Sequence, residues 1–500
     1  MTFRTIPDLL AAHGEAPFLL TDDARYSFAG IDDRARRFAA LLRRHGIRRG
    51  DHVALLAGNH AGYLVAWFGT MMAGAVLVAL NNQLIADGLC YSIRQSTSRL
   101  IVADRVWMEQ GYPHLADDLR SLPLIVIEDD AAFLASLDAH APIAPIVIAA
   151  DDIATILYTS GTTGLPKGVM NSHAAYAATG AQTVRLLDLT TVDRILLFLP
   201  LFHVNPQMFA VMGALTVGAS IALRPRFSAA TFFSDARRFA ATGCTYVGTI
   251  LAILAARHPG IERDHSLRFG FGGGAPDEVW RAVEERFGIA VHEAYGMTEL
   301  GGWTSANSVS DRRFGTAGKV RDDIEVKVVD PCDRELGPGE KGEIVARPRA
   351  PGVILAGYWD KPDTFAEATR NLWFHSGDIG SFDEDGYLRF HGRLKELIRR
   401  GGEMVSPIEV ETRLRAMPGV GDCAIVGVPD PVMDEEIKAV VVADGAIEAS
   451  AVRDFLAQHF PAYMLPRYVE FVAEIPKTET QKVRRNQLTG LAGAVVDLRA

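Results

Sequence analysis

The sequence predicts an α/β protein: a large N-terminal domain of helix-covered, mostly parallel sheets, with a β-rich subdomain, and a small α+β C-terminal domain. Three observations support this prediction. At 500 residues the chain is too long for one hydrophobic core. Apolar runs alternate with amphipathic helices as far as residue 390 or so, which is typical of parallel sheets covered by helices. Beyond that point strands and helices mix in a shorter, separate segment.

The first part of the chain reads as alternating helices and buried strands. Residues 31–46 form an amphipathic helix whose apolar stripe ends at Gly46. Residues 61–80 contain no charged side chain and resemble a membrane span in length. Because Gly74 separates a helical part from the run "AVLVAL", we interpret them as a buried helix followed by a buried strand. Further buried strands are predicted at 52–58, 99–104 and 123–129.

Composition changes again towards the C-terminus. At about 321–392 short alternating runs are broken by Gly, Pro and Asp, which predicts a β-rich subdomain within a large domain of residues 1–392. Residues 393–500 would form the C-terminal domain. Its first helix should begin at Ser406, with Pro407 in the first turn and Glu409 completing a capping box. Strands at 423–429, 436–444 and 468–476 and a helix near 450–459 complete this domain.

Charge and cysteine content narrow the class of protein. A net charge of −10 argues against nucleic acid as the main partner, because phosphate binding requires a basic face. The few cysteines form no CxxC pair, which argues against a zinc knuckle and fits a reducing compartment. The first residues lack the apolar core of a signal peptide. We therefore expect a cytoplasmic protein without stable membrane insertion; its oligomeric state cannot be deduced from the sequence.

The stretch "YTSGTTGLPKGVM" at 158–170 suggests a phosphate-binding loop. It is predicted to join a strand to a helix, where backbone N–H groups and hydroxyls can surround a phosphate. Its spacing differs from a Walker A motif. By composition alone it would suit a flexible surface turn equally well. The groups suited to phosphate are the hydroxyls of Ser160, Thr162 and Thr163, the backbone of Gly161 and Gly164, and the Lys167 ammonium.

Four further motifs resolve this ambiguity. With the glycine-rich loop they are "YGMTE" (295–299), "HSGDIG" (375–380), "GRLKELIRRGGE" (392–403) and "PKTETQKVRR" (476–485). Their order resembles that of the adenylate-forming superfamily, which contains acyl-CoA synthetases, peptide-synthetase adenylation domains and beetle luciferases. The resemblance covers essentially the whole chain. The stretches "PLFHVNPQMFAVMGAL" and "RRGGEMVSP" are most similar to those of crotonobetaine/carnitine-CoA ligases.

The resemblance implies an AMP-forming acyl-CoA synthetase, an acid–thiol ligase. A carboxylic acid would attack the α-phosphorus of ATP to give acyl-AMP and pyrophosphate, and the thiol of CoA would then displace AMP. Mg²⁺ would assist, and the C-terminal domain would be a mobile lid that rotates about a hinge at Lys395. The alternative is a stand-alone adenylation enzyme that loads the phosphopantetheine thiol of an acyl carrier protein. The implied role lies in fatty-acid or carnitine-type acid metabolism.

The resemblance also implies roles for individual residues. Glu299 would hold Mg²⁺, Thr298 the α-phosphate, and Lys482 both the substrate carboxylate and the α-phosphate. His203 would lie between the acyl pocket and the thiol tunnel, as a packing residue or a general base. Nucleotide and CoA contacts are implied for Thr159, Ser160, Gly161, Thr162, Thr163, Gly164, Lys167, Gly274, Ala275, Pro276, Glu293, Ala294, Tyr295, Gly296, Thr298, Asp378, Arg393, Lys395, Gly401 and Gly402.

The acid is the least determined part of the prediction. Glycines 301 and 302 are expected to leave room for more than an acetate-sized substrate. No acidic residue of the implied pocket would pair with the ammonium of carnitine, which remains one candidate beside small or medium apolar acids. Two departures from the family pattern, Gln481 and Met404, concern loop geometry rather than charge. The implied pocket consists of His203, Val204, Asn205, Thr249, Ile250, Gly273, Met297, Gly301 and Gly302.

Overall fold

The computed structural model of the protein describes residues 4–84, 86–144, 146–159, 166–400, 403–430, 433–477, 483–491 and 494–498. The chain forms two compact units. The N-terminal unit contains Met1–Val326 and Ala346–His375, and the C-terminal unit contains Lys327–Val345 and Ser376–Ala500.

The α-helices are α1 (Ile6–Ala11), α2 (Phe28–Arg44), α3 (Ala61–Met72), α4 (Ala86–Gln95), α5 (Arg105–Gln110), α6 (Asp117–Arg120), α7 (Asp130–Ser136), α8 (His173–Leu187), α9 (Met212–Val217), α10 (Phe232–Phe239), α11 (Gly248–Arg257), α12 (Asp277–Phe287), α13 (Pro362–Ala368), α14 (Pro407–Leu414) and α15 (Ala449–Ala457). The strands are β1 (Pro17–Leu20), β2 (Arg25–Ser27), β3 (His52–Leu56), β4 (Val76–Ala79), β5 (Leu100–Asp104), β6 (Leu124–Ile127), β7 (Ile153–Thr159), β8 (Lys167–Ser172), β9 (Arg194–Leu197), β10 (Ser220–Leu223), β11 (Gly243–Val247), β12 (Phe269–Gly273), β13 (Ala290–Tyr295), β14 (Ser305–Ala306), β15 (Lys319–Val320), β16 (Ile324–Val329), β17 (Gly342–Pro348), β18 (Gly357–Tyr358), β19 (Phe374–Phe382), β20 (Leu388–Arg393), β21 (Ile398–Arg400), β22 (Glu403–Val405), β23 (Val420–Asp430), β24 (Asp434–Ala443), β25 (Tyr468–Phe471) and β26 (Val495–Asp497).

The N-terminal unit is built on two sheets, as the α/β prediction requires. One sheet has the strand order β18-β8-β7-β4-β3-β5-β6, and its inner pairs from β7 to β6 are parallel. The other has the order β15-β14-β13-β12-β11-β9-β10-β1-β2, with parallel pairs from β13 to β1. Antiparallel pairs lie at the edges. The predicted fold class is therefore confirmed.

Helix α3 explains the uncharged segment at 61–80. Each of its residues is buried, and the buried strand β4 follows after a turn, so the interpretation as helix and strand is confirmed. Helix α2 turns its apolar stripe towards α3. A Cβ atom at Gly69 would lie 2.6 Å from the carbonyl oxygen of Ala35, so only glycine permits this close approach. Among the described residues, no helix is long and apolar enough to cross a membrane.

The segment around the predicted phosphate loop differs from the prediction. The chain returns from β7 into the antiparallel strand β8, with Thr159 opposite Lys167, before helix α8 begins. A direct passage from strand to helix was therefore the wrong prediction. The reason is tertiary: β8 pairs with β7 on one side and with β18, almost two hundred residues later, on the other.

The C-terminal unit contains strands from two sheets. One has the order β16-β17-β19-β20; the other has the order β22-β21-β24-β25-β26, with β23 paired to β24. Helix α14 starts as predicted, with the hydroxyl of Ser406 accepting a hydrogen bond from the N–H of Glu409 at 3.4 Å. The predicted capping box is not completed, because the carboxylate of Glu409 lies 3.3 Å from Lys341 Nζ instead of accepting from the N–H of Ser406.

The two compact units do not divide at residue 392. Residues 327–345 and 376–392, which we predicted within the large domain, belong to the C-terminal unit. Strand β20 pairs with β19, and β19 with β17, so these residues form one sheet. The division at residue 392 and the hinge at Lys395 concern motion, and both stay predictions.

Candidate active site

Three neighbouring parallel strands, β11, β12 and β13, end at one edge of the larger sheet. Ligands of parallel sheets bind beyond the carboxyl ends of strands. The segments that follow these strands approach one another closely. A Cβ atom at Gly248 would lie 1.6 Å from the carbonyl oxygen of Gly274, and one at Gly296 would lie 2.1 Å from that of Gly302. The first contact joins the segments after β11 and β12, and the second lies within the segment after β13, so glycine permits both close approaches at the predicted nucleotide site.

Glu299 lies in the 3₁₀ turn Thr298–Leu300, which follows β13, and its side chain is buried. Its carboxylate accepts a hydrogen bond from Thr159 Oγ1 at 3.2 Å and from the Tyr358 hydroxyl at 3.3 Å. Burial raises the pKa of Tyr358, and the Glu299 charge raises it further, so this hydroxyl stays protonated and donates at neutral pH. The tertiary fold therefore joins the end of β7, the turn after β13 and strand β18 at one carboxylate.

The base of the predicted phosphate loop belongs to the same cluster. Thr159 and Lys167 are opposite each other in the β7–β8 hairpin. The ammonium of Lys167 lies 5.1 Å from the centroid of the Tyr358 ring, within the range of a cation–π contact. Thr159, Lys167 and Glu299, three residues chosen from the sequence, are thus brought together.

The "YGMTE" segment around Glu299 is mostly packed into the protein. Tyr295 is 6% exposed, and its carbonyl oxygen accepts a hydrogen bond from the N–H of Thr304 at 2.8 Å. Met297 packs against an apolar cluster that includes Leu300. Contact of Tyr295 with the nucleotide and donation by Thr298 to the α-phosphate stay predictions.

Glu293, on β13, has a different set of partners. Its carboxylate accepts hydrogen bonds from the Tyr246 hydroxyl at 2.7 Å, from the N–H of Ala275 at 3.2 Å and from the N–H of Gly274. Burial raises the pKa of Glu293 to about 7, although these three donors act in the opposite direction. Glu293 thus connects β11, β13 and the segment after β12.

The predicted acyl pocket combines the loop before the π-helix Pro206–Val211 with the first turn of α11. The amide of Asn205 donates to the carbonyl oxygen of Tyr246 at 3.1 Å, which links the two segments. Burial lowers the pKa of His203 to about 4, so its imidazole is neutral at pH 7. In the described part of the chain, three buried polar atoms here have no hydrogen-bond partner: His203 Nε2, Asn205 Oδ1 and Thr249 Oγ1.

From the sequence we expected Gly301 and Gly302 to leave open space. The structure differs from this expectation. Both have positive φ angles, of 72° and 91°. A Cβ atom at Gly302 would lie 2.8 Å from the Phe209 ring, and one at Gly301 would lie 2.6 Å from the carbonyl oxygen of Val353. A leucine at Gly302 would therefore strain the backbone and displace Phe209, so this substitution is a poor probe of substrate length.

In the C-terminal unit, two residues predicted to contact the nucleotide are paired. Asp378 on β19 is opposite Arg393 on β20, and Asp378 Oδ1 lies 3.2 Å from Arg393 Nε. Asp378 is 3% exposed, and its N–H donates to the Ser376 hydroxyl at 3.0 Å. The antiparallel register explains how residues fifteen positions apart meet.

A metal ion would have to be held partly by substrate. Within the described ranges, no group of three or more His, Cys, Asp or Glu side chains could hold a metal ion. Glu299 offers one carboxylate, and its neighbours from Thr159 and Tyr358 are hydroxyl oxygens. Oxygen ligands suit Mg²⁺, which is commonly held by one or two carboxylates and substrate phosphates. The residues present therefore fit this ion.

Comparison with known families agrees with this geometry. Residues 8–359 match the model of the AMP-binding enzyme family, and residues 409–482 match that of the AMP-binding enzyme C-terminal domain. The chain belongs to the AMP-binding enzyme family. Its N-terminal match includes Thr159, Lys167, Glu293 and Glu299, the residues around which the site is built.

Similar proteins of this family are acyl-CoA ligases. The chain is 34% identical to a feruloyl-CoA synthase from Amycolatopsis sp over 92% of its length and 93% of the relative. It is 33% identical to a sulfoacetate–CoA ligase from Cupriavidus necator, with 97% of each chain covered. It is 30% identical to a crotonobetaine/carnitine–CoA ligase from Salmonella arizonae, with 93% of each covered. This AMP-binding enzyme is thus an AMP-forming acyl-CoA synthetase, with ATP and CoA as cosubstrates.

Solved structures of such ligases have the same fold. ATP-bound MatB from Rhodopseudomonas palustris superimposes with a TM-score of 0.89 at 29% identity, covering 97% of this chain and 98% of MatB. The anthranilate CoA ligase AuaEII in complex with anthranoyl-AMP gives 0.88 at 27% identity, covering 98% and 97%.

Several predicted site residues of this AMP-binding enzyme lie outside the described residues: Ser160, Gly161, Thr162, Thr163, Gly164, Gly401, Gly402 and Lys482. Lys395 lies in the 3₁₀ turn Leu394–Glu396, and only its backbone is described. The roles of these residues stay predictions.

Two residues of the site were missed from the sequence. Tyr246 and Tyr358 each donate a hydrogen bond to a carboxylate of the site. Tyr246 looks like an ordinary residue of a buried strand, and Tyr358 follows Gly357 in an unremarked turn sequence. Only their pairing with Glu293 and Glu299 distinguishes them, and these partners lie 47 and 59 positions away.

Proposed function

We propose that this acyl-CoA synthetase works in two half-reactions. ATP first converts a carboxylic acid into acyl-AMP with release of pyrophosphate, and the CoA thiol then displaces AMP to form the thioester. The observation that carries the proposal is the contact of Glu299 with Thr159, which places a buried carboxylate at the base of the glycine-rich loop. That loop and a carboxylate for a cation are what adenylation requires.

The residues then divide the work of adenylation. Thr159 and Lys167 flank the loop that binds the β- and γ-phosphates, while Thr298 donates to the α-phosphate. Glu299 would hold Mg²⁺, which supplies positive charge beside the reacting phosphates when it is bound. Lys482 brings a second positive charge to the attacking carboxylate. Asp378 and Arg393, paired at 3.2 Å, bind the ribose and stabilise the bound nucleotide.

In the second half-reaction, the C-terminal domain rotates about Lys395, so that Gly401 and Gly402 line the path of the pantetheine arm. Bare backbone suits the passage of a thin, extended chain. The imidazole of His203 is neutral at pH 7, and it would lie where the acyl group meets the thiol. It packs against Phe202, with ring centroids 4.4 Å apart. A packing role at the junction agrees with this contact.

We propose that the acyl tail of the substrate carries no charge. None of the pocket residues is Asp, Glu, Lys or Arg, and His203 is neutral. Burial of an unpaired charge would cost several kcal/mol, roughly, so a sulfonate or an ammonium group would be poorly accepted. The unpartnered polar atoms of His203, Asn205 and Thr249 suit an acyl tail that carries a hydroxyl group or an ether oxygen. The name of the feruloyl-CoA synthase relative agrees with such an acid.

The substrate is tested by mass spectrometry. Purified enzyme receives ATP, Mg²⁺, CoA and a pooled panel of aryl, hydroxyaryl, straight-chain and branched acids, together with carnitine, crotonobetaine and sulfoacetate. A CoA thioester of an uncharged acid is the expected product. Preferred use of carnitine or sulfoacetate would contradict the uncharged tail. Acyl-AMP without any thioester would instead indicate a carrier protein as the thiol partner.

The two half-reactions are separated by Lys482→Ala. This variant should lose acid-dependent ATP–pyrophosphate exchange by about 10²–10³-fold, because it lacks a charge at the reacting groups. It should still convert supplied acyl-AMP and CoA into thioester. Arg484→Ala is the matched control, since Arg484 is exposed and lies two positions away. Near wild-type exchange in Lys482→Ala would refute its assigned role.

Rotation of the C-terminal domain is tested by Lys395→Pro. Proline fixes φ and so restricts a backbone hinge. We expect exchange to remain near the wild-type rate and thioester formation from acyl-AMP to slow by roughly tenfold or more. Equal losses in both half-reactions would argue against a hinge at this residue.

A further inference from the structure

The carboxylate of Glu293 is held by three donors from two different segments. The Tyr246 hydroxyl comes from β11, and the N–H groups of Gly274 and Ala275 come from the segment that follows β12. No salt bridge joins Glu293 to a cation in the described part of the chain. Its two oxygens are therefore engaged by neutral donors, all of them belonging to the protein.

The backbone of residues 273–276 depends on this arrangement. Gly274 has a φ angle of 86°, in the left-handed region, and its carbonyl oxygen faces Gly248 at the start of α11. The segment therefore leaves β12 by a sharp turn and cannot pair its N–H groups in the sheet. Gly274 is exposed and Ala275 partly buried, and Glu293 accepts hydrogen bonds from the N–H groups of both in succession. Loss of the carboxylate would release both N–H groups and with them the conformation of this segment.

We propose that Glu293 is a positioning residue, held by Tyr246, that fixes the backbone of residues 273–276 so that the segment can bind ATP without contact between Glu293 and the nucleotide. The family resemblance implied that Glu293 contacts the nucleotide. Its described contacts assign it instead to the support of the backbone that would do so. This inference rests on the proposed function and on the contact with the nucleotide that the family resemblance implies for Gly274, Ala275 and Pro276.

Protonation of Glu293 should weaken this support. Burial raises the pKa of Glu293 to about 7, so its protonated fraction grows as the pH falls from 8 to 6. A protonated carboxyl has become a donor at one oxygen and can no longer accept from all three groups. The titratable groups that face Tyr246 and Glu293 are Cys244 on β11, and Asp277 and Glu284 on α12. ATP affinity should therefore fall as the pH falls through 7.

The test is equilibrium binding of ATP, which requires no acid substrate. Glu293→Leu removes both acceptor oxygens, and we expect its Kd for ATP to rise by roughly tenfold or more. Glu293→Gln keeps one acceptor and should show an intermediate rise. Tyr246→Phe removes only the hydroxyl and should show a rise of roughly threefold. In active enzyme, KM for ATP should rise in the same order, with kcat and KM for the acid changed far less.

Glu284→Gln is the matched control. Glu284 also accepts a hydrogen bond from a backbone N–H of β13, that of Val291 at 2.9 Å, but it does not contact residues 273–276 in the described contacts. Its Kd for ATP should equal that of the parent. The parent and this control should both lose affinity between pH 8 and pH 6 by more than Glu293→Gln does, because only they keep the titrating carboxyl.

Two results would overturn the inference. The first is a folded Glu293→Leu protein with unchanged Kd for ATP. The second is an equal loss of kcat and of affinity for ATP and acid in Glu293→Gln, which would indicate general damage to the site. Failure of the proposed function is a separate outcome: a parent that binds ATP but forms neither acyl-AMP nor thioester with any acid.

Discussion

The regions around Glu299 and Glu293 are alike at first sight. Glu299 is buried and Glu293 half-buried, both lie at the end of β13 or just after it, and each accepts a hydrogen bond from a tyrosine. Their other described partners differ. Glu299 accepts from the Thr159 hydroxyl, whereas Glu293 accepts from the backbone N–H groups of Gly274 and Ala275. A hydroxyl can rotate and share its oxygen with a cation, but a backbone N–H can only donate. The first region therefore suits ligand chemistry, and the second suits support of the backbone.

The largest difference between the two regions should appear on loss of charge. Glu299→Gln removes the carboxylate predicted to hold Mg²⁺, so we expect ATP–pyrophosphate exchange to fall by about 10²–10³-fold. Glu293→Gln should leave kcat within roughly threefold of the parent, since it acts through ATP affinity. Exchange assays with varied Mg²⁺ measure both. Equal losses in the two variants would remove the distinction.

The pH dependence of protein stability should reveal the shifted pKa of Glu293. The pKa of Glu293 is raised to about 7 in the folded protein, so ionising this carboxyl is less favourable there than in the unfolded chain, and the parent loses stability as the pH rises from the ordinary pKa to 7. Glu293→Gln does not titrate. The unfolding free energy of this variant minus that of the parent should therefore increase by about 2–3 kcal/mol between pH 5 and pH 8.

Thermal or urea unfolding at several pH values measures this difference. Because the comparison is between pH values, it does not depend on how well glutamine fits. Glu284→Gln provides the reference variant on the neighbouring helix. A difference that is constant from pH 5 to pH 8 would show that Glu293 titrates near its ordinary pKa.

The close backbone approach behind the nucleotide site should also respond to substitution. A Cβ atom at Gly248 would overlap the carbonyl group of Gly274, so Gly248→Ala should lower the unfolding free energy by about 1–3 kcal/mol and weaken ATP binding. Gly260→Ala is the control, since nothing lies within 4 Å of its Cβ position and its φ is not positive. Similar unfolding midpoints for the two variants would contradict this packing.

The smallest effect is expected at the tyrosine beside Glu299. Tyr358→Phe removes one hydroxyl donor to the carboxylate and should lower exchange by roughly threefold to tenfold, an effect that excess Mg²⁺ should reduce. Its counterpart Tyr246→Phe should change the Kd for ATP and leave the response to Mg²⁺ as in the parent. The same Mg²⁺ titration in both variants provides the comparison.

Much of the local structure could be predicted from the sequence because local interactions determine it. Ser406 begins α14 as expected, because its hydroxyl accepts a hydrogen bond three residues later. The uncharged segment at 61–80 forms a helix and a strand, since its pattern and its glycine break are local features. Motif order likewise identified the family, which the matches at 8–359 and 409–482 show.

Contacts between distant residues could not be predicted in the same way. The return of β8 beside β7, and its pairing with β18, changed the surroundings of the phosphate loop. The space that we expected beside Gly302 is occupied by Phe209, ninety-three positions earlier in the chain. Neither contact leaves a local pattern in the sequence.

The sequence by itself therefore determined many of the helices and strands, the family and most candidate residues of the chemistry. The tertiary structure decided which of those residues have partners in the protein and of what kind. Glu293 and Glu299 illustrate the reason. Both belong to one short segment and could not be distinguished by residue type, but each carboxylate takes its character from donors that other strands supply. Only the folded chain brings those donors within hydrogen-bond distance.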